Sequence, residues 1–160
     1  MKLWARSDIL ERRTLVGSAD DLHDLENGIE APTSHFVLFV AADTSEYDGP
    51  TLVAHAEGLI RAGASYVCCW GPDCSRFHDA FDEADLAVNG DVSDSRFIFT
   101  TWHEEEPLEE AAWFALNSAI PAPAYAPTTG TVILVAIGND IWATRLDTYV
   151  SSGASMLDEA

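Results

Sequence analysis

The chain has 160 residues, 48% of them apolar and 22% charged, a composition that suits one globular domain with a substantial core and not a disordered chain. Its 27 Asp and Glu against 8 Lys and Arg give a formal net charge of -19 at pH 7, so direct binding to a nucleic-acid backbone or an anionic membrane meets repulsion. No apolar run approaches the roughly 20 residues of a bilayer span, and residues 1–13 lack the apolar core of a secretory signal, which points to the cytoplasm.

Residues 1–34 read as an N-terminal arm with a short helix around Ser7–Arg13 and a turn at Asn27-Gly28. Half of the basic residues, Lys2, Arg6, Arg12 and Arg13, sit in it. From His35 the pattern becomes regular. His35–Ala42 is a continuous apolar run of strand length, as expected for a strand covered on both faces. Pro50 then opens a helix carrying Leu52, Val53, Ala56, Leu59 and Ile60 at helical spacing, stopped by Gly63.

The second strand is Ala64–Trp70, broken by Gly71-Pro72. Asp73 suits the N-cap of a helix whose stripe is Cys74, Phe77, Phe81 and Ala84. A third strand, Arg96–Trp102, leads through His103 and three glutamates to Pro107 and a helix with Leu108, Ala111, Ala112, Ala115 and Leu116. Pro121 to Pro127 reads as a stiff linker without structure of its own. The fourth strand, Thr131–Ile137, is followed by Gly138 and a helix capped by Asn139 or Asp140, carrying Ile141, Trp142, Leu146, Tyr149 and Val150. Residues 152–160 read as a frayed tail.

Four alternations of apolar strand and amphipathic helix over residues 35–151 predict a single three-layer α/β/α domain, Rossmann- or flavodoxin-like, with a four-stranded, mostly parallel sheet. The favoured strand order is 2-1-3-4, with 3-2-1-4 as the alternative. In open α/β sheets, ligands bind beyond the carboxyl ends of the strands, where the order reverses. For the favoured order that rule brings Asp43 near His103, with Cys69 and Asn139 on the same edge. Asp43 and His103 are residue types able to hold a hard cation or to exchange protons. The plainer alternative has Asp43 capping a loop and His103 exposed before a helix.

Cys74 and His78, one helical turn apart near a helix start, have the spacing of an activated thiol. Cys74 also continues the apolar stripe, which favours an inert buried side chain; His55 and His78 are expected to face solvent. The three cysteines form no C-x-x-C pair and imply reduced thiols. No G-x-G-x-x-G, no G-x-x-x-x-G-K-[ST] and no G-x-S-x-G occurs, so no cofactor is implied by motif. Trp70, Asp73, Trp102, Glu104 and Glu105 complete the strand-end edge as candidate ligand- or partner-binding residues.

The strings Trp70-Gly-Pro-Asp-Cys74 and Thr100-Thr-Trp-His-Glu104, with the helices after them, resemble an uncharacterised family of small bacterial α/β proteins over about residues 35 to 146. The resemblance implies the fold and a candidate surface at the strand-end edge, and no reaction. Two functional readings follow. One is an acidic interaction protein that binds a basic protein partner, of inhibitor, immunity or defence type. The other is a small enzyme or ligand- or metal-binding protein whose site joins Asp43, Cys69, His103 and Asn139. The acidity has two further readings, a solvating surface and adaptation to high salt.

Overall fold

The structure is a computed structural model that describes residues 1–9, 12–91 and 94–152. Its elements run β1 (Lys2–Ile9), β2 (Arg12–Ala19), α1 (Leu22–Gly28), β3 (His35–Ala41), α2 (Gly49–Ala62), β4 (Ala64–Trp70), α3 (Cys74–Asn89), β5 (Phe99–Trp102), α4 (Leu108–Asn117), β6 (Thr129–Ile137) and α5 (Asp140–Ser151). They build one six-stranded sheet in the order β1-β2-β6-β3-β4-β5, in which β1 is antiparallel to β2 and every other pairing is parallel.

The parallel α/β architecture is as the sequence predicts, with more strands. Residues 1–34 form no arm outside the sheet. They supply β1, β2 and α1, and the helix expected around Ser7–Arg13 is strand on both sides of residues 10–11, which lie outside the described residues. Residues 153–160 of the expected tail also lie outside them. The strand order is corrected as well. In chain order the four expected strands are β3, β4, β5 and β6, and their spatial order β6-β3-β4-β5 is the alternative, 3-2-1-4, not the favoured 2-1-3-4.

Alternation along the central strands divides the core in two. Phe36, Leu38 and Val40 of β3, with Ile133 and Val135 of β6, pack under α1, α2 and α3. Val37 and Phe39, with Val132 and Leu134, pack under α4 and α5. Burial on both faces explains the uninterrupted apolar strand sequences. The α2 and α5 starts are capped conventionally, with Asp48 accepting from Thr51 N at 2.7 Å and Asn139 accepting from Trp142 N at 3.0 Å. The expected linker packs on the body, with Ala122 fully buried.

The β4–α3 turn is the tightest point. Gly71 has φ +118°, and a Cβ added there would lie 2.3 Å from Ala42 O. Thr44 N donates to Pro72 O, and Arg76 donates to the carbonyls of Thr44 (2.5 Å) and Tyr47 (2.7 Å), tying the β3 loop to the β4 turn. Gly71→Ala is therefore expected to lower the unfolding free energy by about 1–3 kcal/mol, measured by urea denaturation; an unchanged midpoint would show that the turn relaxes freely.

Candidate functional site

Because β6 lies between β2 and β3, the strand order reverses between β6 and β3, and Asp43, just after β3, and Asn139, just after β6, follow neighbouring strands. His103 follows β5, two strands from β3 across β4, a separation of about 10 Å at sheet spacing. The expected approach of Asp43 to His103 is thus replaced by an Asp43–Asn139 neighbourhood. Each of that pair is already engaged. Asp43 accepts from Ser45 N (3.0 Å) and Ser45 Oγ (2.5 Å), bonds that hold its carboxyl below the usual range. Asn139 is the α5 cap.

Cys69 is 1% exposed and points into the core beneath α3, where burial drives its thiol well above the ordinary value. Cys68 lies on the opposite face, and burial pushes it up to about 12. Cys74 is also buried and raised, chiefly by desolvation. The Cys74–His78 pair does not form, since His78 turns instead toward β5. Asp73 occupies the α3 N-cap position in a left-handed conformation, φ 57°, and makes no side-chain cap bond.

The structure concentrates polar chemistry on β5. Neighbouring strand residues point to opposite faces, so Thr100 and Thr101 build separate networks. On the α3 face, Thr100 Oγ1 meets His78 Nδ1 at 2.5 Å and donates to Asp82 Oδ1 at 3.1 Å, while His78 Nε2 lies 3.5 Å from Asp82 Oδ2. The Trp102 ring covers His78 at a centroid distance of 4.5 Å. On the α4 face, Thr101 Oγ1 lies 2.8 Å from His103 Nε2, and His103 Nδ1 lies 3.0 Å from Glu106 Oε1.

His103 is 5% exposed, contrary to the solvent-facing alternative, and Phe114 packs on its ring at 5.0 Å. With Nδ1–H donating to the Glu106 carboxylate, Nε2 is the ring nitrogen that accepts from the Thr101 hydroxyl. This is the reach of a hydroxyl, base and orienting carboxylate. The Tyr66 hydroxyl and Cys68 thiol face the same threonine, which makes the relay part of a packed interior. Trp70 braces it from the side, donating Nε1–H to Glu106 O at 2.8 Å and packing edge-on against Trp142.

Trp70 and Trp102 therefore close the same sheet edge on opposite faces. Trp70 is largely enclosed, while Trp102 is 50% exposed. Glu104 and Glu105 are exposed beside it. His78, Thr100 and Glu106 are the residues whose pairing sequence reasoning missed. The usable signal was the Thr100-Thr101 doublet, since two threonines in succession on a strand must serve both faces. Among the described residues no cluster of three or more His, Cys, Asp or Glu is placed to hold a metal ion, and no helix is long and apolar enough to cross a membrane.

Two grooves flank α3. One, of about 580 Å³, runs between α2 and α3 past Pro50, Val53, Arg76, Asp79 and Glu83. The other, of about 410 Å³, opens along β5 and is bounded by His78, Asp82, Asp85, Asp91 and Phe99. Asp85 is committed to structure, accepting from Asn89 Nδ2 and Ile98 N; Asp79, Asp82, Glu83 and Asp91 are exposed.

The chain belongs to the family described as a domain of unknown function, DUF7684, which matches residues 16–152. No curated protein matches the sequence.

Two outcomes test this geometry. Native protein at pH 8 is expected to leave Cys68, Cys69 and Cys74 unmodified by a disulfide reagent, with all three thiols titrating after unfolding; rapid native labelling at any of them would contradict its enclosure. Thr101→Val keeps the shape but removes the hydroxyl from His103, and is expected to cost about 1–3 kcal/mol in denaturant unfolding.

Proposed function

We propose that this chain is an acidic interaction protein that binds a basic protein partner through the α3–β5 face. The observation that carries the reading is the pair of carboxylate-lined grooves on either side of α3. The helix itself presents Asp79, Asp82 and Glu83 to solvent, and its single arginine, Arg76, is turned inward onto the Thr44 and Tyr47 carbonyls. Arg76 counters part of the field of the α2–α3 groove, whereas the β5 groove gathers Asp82, Asp85 and Asp91 with no lysine or arginine in its lining.

Carboxylates gathered along a groove above a low-dielectric core, as Asp82, Asp85 and Asp91 are beside β5, concentrate the potential and speed capture of the opposite charge. Trp102 and Leu86, 50% and 61% exposed, give the same face apolar area of the kind that anchors a protein contact. The Thr101–His103–Glu106 relay, by contrast, lies under Phe114 and Trp70, so the exposed chemistry favours binding over catalysis. The two strings that resemble an uncharacterised family flank this face at the ends of β4 and β5. Inhibitor, immunity and defence roles all fit such a module, in a cytoplasmic setting.

Calorimetric titration with an arginine-rich peptide at about 50 mM and about 300 mM salt tests the reading. Binding is expected at low salt and is expected to weaken about tenfold at high salt, and about tenfold again in an Asp79→Asn, Asp82→Asn, Glu83→Gln variant. An acidic peptide of equal length is expected not to bind. Failure of the cationic peptide at low salt, or equal binding by the neutralised variant, would overturn it.

A further inference from the structure

Resting on the reading just given, we infer that the partner contributes an extended strand that adds to the free edge of β5, with basic side chains on the α3 side and apolar ones on the α4 side. The backbone supplies the first observation. Among the described residues β5 ends the sheet, pairing only with β4. His103 N donates to Cys69 O at 2.9 Å, and Cys69 pairs with Trp102. In a parallel ladder this register turns the N–H and C=O of residues 101 and 103 toward β4, and those of Thr100 and Trp102 outward. Two donors and two acceptors thus face away from the sheet in the spacing an incoming strand uses.

The side chains on either hand are unlike. Toward α3, an added strand runs beside the groove of Asp82, Asp91 and His78, with the Trp102 ring available to stack on a guanidinium. Toward α4 it meets Phe99, 38% exposed, whose ring contacts Tyr66, which in turn contacts Phe114. Because side chains on a strand alternate, one segment of alternating basic and apolar residues satisfies both faces at once. The edge is guarded by its shortness, four residues, and carries neither Pro nor Lys within Phe99–Trp102. Charge selects the occupant. A second copy of this chain would bring the same carboxylates edge to edge, whereas a cationic strand removes the repulsion.

The probe is a ten-residue peptide alternating Arg and Val, compared with a peptide of the same composition in blocks. The alternating peptide is expected to bind about tenfold more tightly, and to slow hydrogen exchange at the Thr100 and Trp102 amides. Trp102→Ala removes the ring and keeps the N–H; Trp102→Pro removes both, at a position whose N–H makes no bond within the sheet. Trp102→Pro is therefore expected to bind about tenfold more weakly than Trp102→Ala.

If cationic peptides bind with the expected salt dependence, but the two variants behave alike and the two amides stay unprotected, strand addition is overturned and the acidic-face reading stands. If no cationic peptide binds, that reading fails first and takes this inference with it. If the free protein dimerises with those amides already protected, the occupant is a second copy and the basic partner is wrong. Exchange on the unmodified protein decides the matter even where the proline variant does not fold.

Discussion

The insertion of β6 between β2 and β3 governs the rest of this molecule. It buries β3 and β6 on both faces and on both edges, which is why their sequences run apolar without alternation. The same insertion sends β3, β4 and β5 outward in chain order, so the shortest strand becomes one edge of the sheet. A chain that placed β5 beside β3 would have covered Thr100, Thr101 and Trp102. Here they stand at the rim, with no strand paired to their outer side among the described residues.

That position explains the two histidine networks. A threonine on an edge strand can be served from either face by groups on the flanking elements, and here both faces are used. His78 reaches β5 from α3, and His103 folds back from the strand's own end. Each ring is held between a hydroxyl and a carboxylate, so β5, whose four residues all pair with β4, is tied to α3 through His78 and meets α4 through the His103–Phe114 contact.

The fold class was legible because strand-length apolar runs and helical stripes are local signals, and β3, β4 and β6 carry them strongly. Strand order was not, because 2-1-3-4 and 3-2-1-4 obey the same crossover rules and differ only in which long-range pairing forms. β1 and β2 escaped the reading because charged and small residues, Arg12, Arg13, Gly17 and Ser18 among them, interrupt their alternation; only the β2–β6 ladder makes them part of the sheet. The candidate site was legible as an edge but not as a constellation. Asp43, Cys69, His103 and Asn139 do fall at strand ends. Whether each faces the core, caps a helix or meets a neighbour depends on packing that single residues do not announce. Cys68 and Cys69 are the exception: neighbours on a strand, they enter different cores, as alternation alone requires.

An exposed edge strand carrying Phe99 and Trp102 is ordinarily a hazard, because any other edge can pair with it. Proteins commonly blunt such edges with lysine, proline or a bulge, and this one has none of the three on β5. What surrounds the strand is carboxylate instead: Asp82 and Asp91 on one side, Glu104 and Glu105 beyond its end. A rim dominated by carboxylate repels its own copy. It opposes a cationic strand not at all. Under the proposed reading, solubility and specificity are therefore one device. The net charge of -19 keeps the bare edge from self-pairing while leaving it open to the single class of partner whose binding relieves the field.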